Sequence, residues 1–144
     1  MGKKQTIYGA LFLSGSLLLG ACGDNDEVKD APTSEESESA FGFRSFDLDI
    51  DTVDQNDAID ASFDIDVSET EAEYINKSED IKLSGDEAYS KLEPIFTELK
   101  LTKDMTKEEV IEKVTQAFGA EEYTEFDLEV EFSDGDEQEF SDHK

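Results

Sequence analysis

The sequence predicts a two-layer α+β domain in which a mostly antiparallel sheet carries two helices packed on one face. Three segments alternate between apolar and acidic residues, which is the period-two pattern of half-buried antiparallel strands. Two further segments repeat apolar residues at helical spacing, and an Asp-Gly pair near the C-terminus indicates a hairpin. In chain order these patterns predict the elements β-β-β-α-α-β-β.

The predicted strands each have one apolar and one polar face. They cover residues 41–51, 61–67, 71–76, 123–132 and 137–140. In the first strand Phe46, Leu48 and Ile50 face one way, and the three intervening aspartates face the other. The pair Asp134-Gly135 separates the last two strands and is typical of a tight hairpin turn.

Both predicted helices begin at a capping box, in which a Ser or Thr precedes a Glu by three residues. The capping pairs are Ser84 with Glu87 and Thr106 with Glu109. The first helix has apolar residues from 88 to 99 at helical spacing, and Pro94 within it predicts a kink because proline has no N–H to donate. The second has its apolar stripe within 110–118 and ends at Gly119.

The N-terminus has the parts of a bacterial secretion signal. Lys3 and Lys4 precede a mostly apolar run, 7–21, which as a helix spans about 22 Å and falls short of the ~30 Å hydrocarbon core. The run closes with Leu19-Gly20-Ala21-Cys22, which resembles the lipobox of bacterial lipoproteins. That resemblance implies cleavage before Cys22 and a diacylglyceryl group on its sulfur, which would attach the chain stably to a membrane. The alternative is an ordinary signal peptide followed by a chance cysteine.

This interpretation implies a location on the outer face of the cytoplasmic membrane. Gly23 rather than an aspartate follows Cys22, which favours a Gram-positive envelope. Residues 23–40 are rich in acids and contain one branched apolar residue, Val28, so we expect a disordered stalk there. The predicted organisation is a signal peptide at 1–21, the lipidated cysteine and stalk at 22–41, one domain at 42–141 and a tail at 142–144.

The chain is strongly acidic, and its charge limits the classes of partner. Its 144 residues include 39 acidic and 12 basic ones, for a net charge of −27, and loss of Lys3 and Lys4 with the signal peptide makes this −29. Nucleic acid is excluded, because neutralising phosphates requires clustered Lys and Arg. The charge favours basic protein surfaces or cations as partners. The single cysteine permits no disulfide within the chain.

Eight aspartates between residues 47 and 66 suggest a calcium site. An EF-hand beginning at Asp47 fails, because its sixth and twelfth positions hold Thr52 and Ala58 instead of Gly and Glu. The loop 51–60 could still surround an ion. The candidate ligands are Asp51, Asp54, Asn56, Asp57 and Asp60. The alternative, which we favour, is a solvated acidic face without a specific ion.

The sequence offers little for catalysis, and we expect no enzyme activity and no cofactor. His143 is the one histidine and lies next to the C-terminal residue, so Ser-His triads and histidine-rich zinc sites are excluded. A carboxylate pair for hydrolysis remains an alternative in so acidic a chain. Phe41, Phe43 and Tyr123, at the edges of the predicted strands, are either core residues or exposed anchors for a partner.

Several segments together resemble the YusW-like lipoproteins of Bacillus-type bacteria. The resemblance runs from residue 46 to 140 and adds to the lipobox and the stalk. It rests on Phe46-Asp47-Leu48, on the run Asp80-Ile81-Lys82-Leu83-Ser84-Gly85, and on Phe126-Asp127-Leu128-Glu129-Val130 leading to Asp134-Gly135. It implies a lipid-anchored extracytoplasmic protein and brings no catalytic residues with it. We therefore expect a non-enzymatic binding or accessory module, with a calcium-binding or an inert structural lipoprotein as the alternatives.

Overall fold

In the part of the chain that the structure describes, six antiparallel strands form one sheet, and three helices accompany it. The computed structural model describes residues 27–29, 31, 33–65 and 69–144. The elements are α1 (Ser34–Phe41), β1 (Phe43–Thr52), β2 (Ile59–Ile65), β3 (Thr70–Asn76), β4 (Ile81–Ser84), α2 (Gly85–Leu99), α3 (Lys107–Phe118), β5 (Tyr123–Phe132) and β6 (Glu137–His143). The sheet order is β4-β3-β2-β1-β5-β6. The prediction of an α+β fold with an antiparallel sheet is confirmed.

The inner face of the sheet and the helices enclose one apolar core. Phe46, Leu48 and Ile50 of β1 have no exposed surface, as their alternation predicted. The ring of Phe96 on α2 lies 4.9 Å from that of Phe46, and the ring of Phe118 on α3 lies 6.1 Å from it. Burying a large apolar side chain contributes about 1.5–3 kcal/mol, so these ring contacts help to hold the helices on the sheet.

The two predicted capping boxes have different outcomes. At α3 the box forms, because the Glu109 N–H donates to Thr106 Oγ1 at 3.2 Å and the Thr106 N–H donates to Glu109 Oε2 at 2.8 Å. The predicted box at Ser84 is wrong. Ser84 ends β4 and makes no capping hydrogen bond with its side chain, and α2 then runs from Gly85 to Leu99 with Pro94 inside it.

The strands at both edges of the sheet differ from the prediction. The sequence predicts no strand at 81–84, but β4 there pairs with β3, placing Lys82 opposite Ile75. Ile81-Lys82-Leu83-Ser84 alternates between apolar and polar residues, but this short pattern directly precedes the helical one and is weak beside it. β6 runs through His143, and the Lys144 N–H donates to the Thr124 carbonyl at 2.9 Å. The predicted tail at 142–144 is therefore wrong, since pairing with β5 continues to the end of the chain.

The described residues between 27 and 41, which we call the strap, pack on the sheet and its helices. α1 lies in this stretch, and Val28, Ser37 and Phe41 are buried. The signal peptide, Cys22 and the start of the predicted stalk lie outside the described residues. The predicted disordered stalk is therefore wrong from Glu27 onward, because the strap packs against the domain. Phe41 supplies apolar surface that the composition of residues 23–40 does not include.

The three residues considered as exposed anchors are all core residues. Phe41, Phe43 and Tyr123 are at most 6% exposed, so their alternative as partner contacts is wrong. Among the described residues, no helix is both long and apolar enough to cross a membrane.

Candidate functional site: the acidic face of the sheet

The outer face of the sheet is acidic because each core strand alternates buried apolar residues with Asp or Glu. We call this surface the acidic face. Its acids are Asp47, Asp49 and Asp51 on β1, Asp60 and Asp64 on β2, Glu71 and Glu73 on β3, Glu125, Asp127, Glu129 and Glu131 on β5, and Glu137 and Glu139 on β6. The pattern that buries the inner face therefore also fixes the charge of the outer one.

Strand register places acids directly opposite one another on this face. Asp49 pairs with Asp60 of β2 on one side and with Asp127 of β5 on the other, so three carboxylates lie in one row. Asp47 lies opposite Glu129 in the next row. Side chains directly opposite one another on adjacent strands have Cβ atoms about 5 Å apart, and like charges there destabilise the sheet.

The crowding shows in the pKa values of the central carboxyls. Partial desolvation on the sheet, followed by the charges of Asp57 and Asp60, raises the pKa of Asp49 to about 6. Desolvation and the charge of Asp60 raise the pKa of Asp47. Desolvation and then Glu125 raise the pKa of Asp127. The carboxyls at the centre of the face are therefore harder to ionise than isolated ones. A positively charged partner would stabilise their ionised form.

Several basic groups offset part of this charge at the margins. The Arg44 guanidinium pairs with Glu131, where Nε donates to Oε1 at 2.8 Å. Lys77 Nζ lies 3.6 Å from Asp57 Oδ2, and His143 Nδ1 lies 3.7 Å from Glu125 Oε1. These groups lie at the ends of strands or in turns, and the row through Asp49 lies between them.

The structure brings together some of the predicted ion ligands and separates the rest. Carboxylate oxygens of Asp49, Asp51 and Asp57 lie within 4.8 Å of one another, and Glu125 and Asp127 complete the wall of a small open pocket. Asp57 adopts a left-handed backbone, with φ of 48°, and its N–H donates to Asp51 Oδ1 at 2.6 Å. The predicted ligands outside this group are Asp54, Asn56 and Asp60.

The sequence reading missed Asp49, Glu125 and Asp127 as neighbours of the ion loop. Their alternation was visible, but their meeting depends on the pairing of β1 with β5, which lie far apart in the chain. Calcium takes six to eight oxygen ligands, so three carboxylates in an open pocket do not by themselves define a site. The arrangement is suited to loose attraction of positive charge.

A second concave surface lies between α3 and the C-terminal strands. It is lined by Lys107, Glu108, Ile111, Glu112, Thr115, Gln116, Glu121, Tyr123, Asp142 and Lys144. The Tyr123 hydroxyl donates to Asp142 Oδ2 at 2.6 Å, and Lys144 Nζ lies 3.9 Å from the centre of the Tyr123 ring. The Tyr123 hydroxyl and Asp142 are thus partnered with each other, and Lys144 Nζ also donates to the Glu121 carbonyl at 3.3 Å.

These features place the chain in a class of small α+β domains with an acidic outer sheet face. The model of the YusW-like protein family matches residues 44–134, and the chain belongs to that family. The match runs from the start of β1 to the β5–β6 turn, so it covers the strands that contribute most of the acidic face. Neither the curated proteins nor the solved structures contain a match.

Proposed function

We propose that this protein is a lipid-anchored extracytoplasmic module that acts by binding, with the acidic face as its docking surface for a basic protein partner. In this proposal the helices cover the apolar face of the sheet, which leaves the acidic face free for the partner. The lipid on Cys22 attaches the chain to the outer face of the cytoplasmic membrane of a Gram-positive cell. The signal and lipobox pattern support the anchor, and the paired acidic rows support the docking surface.

The row Asp60–Asp49–Asp127 is the observation that carries the proposal. An ordinary solvated surface gains nothing from placing like charges opposite each other on three neighbouring strands. A partner that brings Lys or Arg to the row would relieve this repulsion, so binding would recover free energy that folding loses. Such complementarity also speeds encounter and disfavours acidic competitors.

We further propose that the module has no catalytic step of its own. The side chain of His143 is 67% exposed at the end of β6, and the clustered carboxylates lie in an open pocket on the sheet surface. Neither arrangement excludes water from a reacting group. A hydrolase would require an enclosed carboxylate pair with one strongly raised pKa.

The anchor is tested on the chain extracted from the membranes of cells that produce it. We expect mass spectrometry to find a diacylglyceryl group on Cys22 and no residues before it. The Cys22→Ser variant should leave the membrane and keep its fold, as judged by circular dichroism. A membrane-bound chain with an unmodified cysteine would overturn the lipid anchor.

The docking surface is tested by chemical cross-linking in the envelope. The face variant Asp47→Asn with Glu129→Gln removes two charges that repel each other, so its fold should be retained. The helix variant Glu108→Gln with Glu112→Gln makes the same charge change on exposed positions of α3. Captured partners should be lost in the face variant alone. Equal capture by the face variant and the unaltered chain would contradict the proposal.

Calcium binding is the alternative function, and the group Asp49, Asp51 and Asp57 is what favours it. Calorimetry with CaCl2 at fixed ionic strength separates the two functions. Saturable heat that Asp57→Asn abolishes would support a specific ion site. Heat that does not saturate, and is unchanged by Asp57→Asn, would assign the pocket to the acidic face as a whole.

A further inference from the structure

The strap completes an edge of the sheet that would otherwise be open. β4 pairs only with residues 73–76 of β3, which leaves the start of β3 at Thr70 without a strand partner on that side. The Val28 N–H donates to the Thr70 carbonyl at 2.8 Å, and Glu27 bridges to Glu71. Val28 is 5% exposed, so this contact has an apolar component as well as a hydrogen bond.

Contacts on both sides of this point fix the strap further. The Lys29 N–H donates to Asp86 Oδ1 at 2.8 Å in the first turn of α2. The Ser37 hydroxyl donates to the Phe43 carbonyl at 3.0 Å inside the core. The ring of Phe41 lies 5.5 Å from that of Phe96 and 5.9 Å from that of Phe63. The strap is therefore part of the folded domain, and its first described residue is Glu27.

The distance from Cys22 to the domain follows from this starting point. Five Cα–Cα steps separate Cys22 from Glu27 and can span at most about 18 Å, since an extended chain covers up to ~3.6 Å per residue. A stalk continuing to residue 41 would have allowed about 68 Å on the same scale. A lipid on Cys22 would therefore lie within about 18 Å of Glu27, which pairs with Glu71 next to Thr70.

We propose that the strap holds the Thr70 end of the sheet against the membrane, so that the acidic face meets a basic protein segment that is itself held at the membrane surface. This proposal rests on the lipid anchor at Cys22 and specifies where the partner of the acidic face lies. A partner in free solution gains nothing from the short connection, because its concentration at the acidic face is that of the bulk solution. A membrane-held basic partner gains from the confinement, because both surfaces share the same thin layer.

The direction of the strands predicts how the domain is oriented relative to the membrane. Thr70 and Asn76 are the two ends of β3, and Asn76 lies opposite Ile59, beside the loop that joins β1 to β2. At ~3.3 Å per residue, that loop is about 20 Å farther along the strands than Thr70. Gln55 in this loop should therefore lie far from the membrane, and Glu87 at the start of α2 should lie near it.

The orientation is measurable because the chain contains no tryptophan, so one introduced residue gives an unambiguous signal. The chain from Cys22 onward is coupled through its cysteine to a maleimide lipid in phosphatidylcholine vesicles that contain a dansyl-headgroup acceptor. Glu87→Trp and Gln55→Trp, both at exposed positions, serve as near and far donors. Energy transfer should be at least twofold more efficient from Glu87→Trp. Equal transfer from the two positions would overturn the proposal.

Two changes remove the confinement in different ways. Twenty Gly/Ser residues inserted between Asp26 and Glu27 lengthen the connection and leave the strap in place. Val28→Asp places a charge in the buried strap contact, and Glu27→Gln is its control at the neighbouring exposed position. The insertion and Val28→Asp should abolish the difference in transfer, and Glu27→Gln should preserve it. An unchanged difference after the insertion would show that the strap does not set the orientation.

The position of the partner is tested with a decalysine peptide, either free or attached to a lipid in the same vesicles. The native-length chain should bind the attached peptide at least tenfold more tightly than the chain with the insertion does. The two should bind the free peptide within twofold of each other. Equal affinity for the attached peptide would overturn the proposal. Because the maleimide lipid supplies the anchor, this result is independent of whether Cys22 is lipidated in cells.

Discussion

Asp49 is the residue at which the acidic face most opposes folding. Its carboxyl has a pKa of about 6 in the fold, raised by desolvation and by the charges of Asp57 and Asp60, against ~3.9 in an unfolded chain. Between these values the folded state binds more protons than the unfolded state, so stability falls as pH rises. The contribution of Asp49 is fully restored below about pH 4 and is lost as pH rises through 6.

Asp49→Asn should therefore stabilise the protein at pH 7. We expect a gain of about 1 kcal/mol in the free energy of unfolding, smaller than the pKa shift implies because the side chain is exposed and screened. The gain should vanish at pH 4, where both side chains are neutral. Urea denaturation at the two pH values measures it, with Asp104→Asn, in the exposed α2–α3 loop, as the control. A loss of stability at pH 7 would contradict the repulsion.

The two sequence capping boxes give a matched comparison at the level of single hydrogen bonds. Thr106 accepts from the Glu109 N–H, whereas Ser84 makes no such bond. Thr106→Ala should cost about 1 kcal/mol in the free energy of unfolding, and Ser84→Ala should change it by less than about 0.5 kcal/mol. Chemical denaturation checks both. Equal losses would mean that the hydroxyl of Ser84 supports α2 after all.

At the scale of elements, the strap belongs to the folded domain and not to the predicted stalk. A stalk would leave stability unaffected when its side chains are changed, whereas Phe41 contributes a ring to the core. Phe41→Ala should lower the free energy of unfolding by about 3 kcal/mol or more, as in other buried aromatic truncations. Glu35→Ala, at an exposed position in the same helix, should have little effect. If both variants were as stable as the unaltered chain, the strap would not contribute to the folded domain and the predicted stalk would be supported.

Elements that carry a long local pattern could be predicted from the sequence, and short or non-local features could not. β5 spans residues 123–132 as its alternation predicted, and α3 begins after its capping box. β4 alternates over four residues only, and the apolar residues of α1 are only Ala40 and Phe41 at its end, so neither has a clear periodic signal. A signal for α1 was nonetheless present, because Thr33 and Glu36 form a capping box.

The candidate site was partly predictable for the same reason. Alternation identified which side chains point outward, and the predicted ion loop contains Asp51 and Asp57, which the structure places beside Asp49. The row through Asp49 and Asp127 depends on the pairing of β1 with β5. That pairing joins strands separated by β2, β3, β4, α2 and α3, so no local pattern contains it.

For the whole molecule, charge repulsion sets the response to salt. The chain carries a net charge of −27, and its acidic rows lie within the ~8–10 Å over which ordinary salt screens exposed charges. The melting temperature should therefore rise between 10 mM and 1 M NaCl. Thermal denaturation followed by circular dichroism measures it, and the face variant Asp47→Asn with Glu129→Gln should show a weaker dependence. A melting temperature independent of salt would mean that repulsion between the acids of this face does not lower stability significantly.

The acidic face as a docking surface is tested most directly by the affinity of the domain for decalysine at fixed ionic strength. Three proteins are compared: the unaltered chain, the face variant, and the helix variant Glu108→Gln with Glu112→Gln. The two variants have the same net charge and differ only in where two negative charges have been removed. We predict that the face variant weakens binding about tenfold, or ~1.4 kcal/mol, and that the helix variant weakens it less than about twofold. Equal weakening in the two variants would show that the peptide responds to net charge alone, and would contradict a docking site on the sheet.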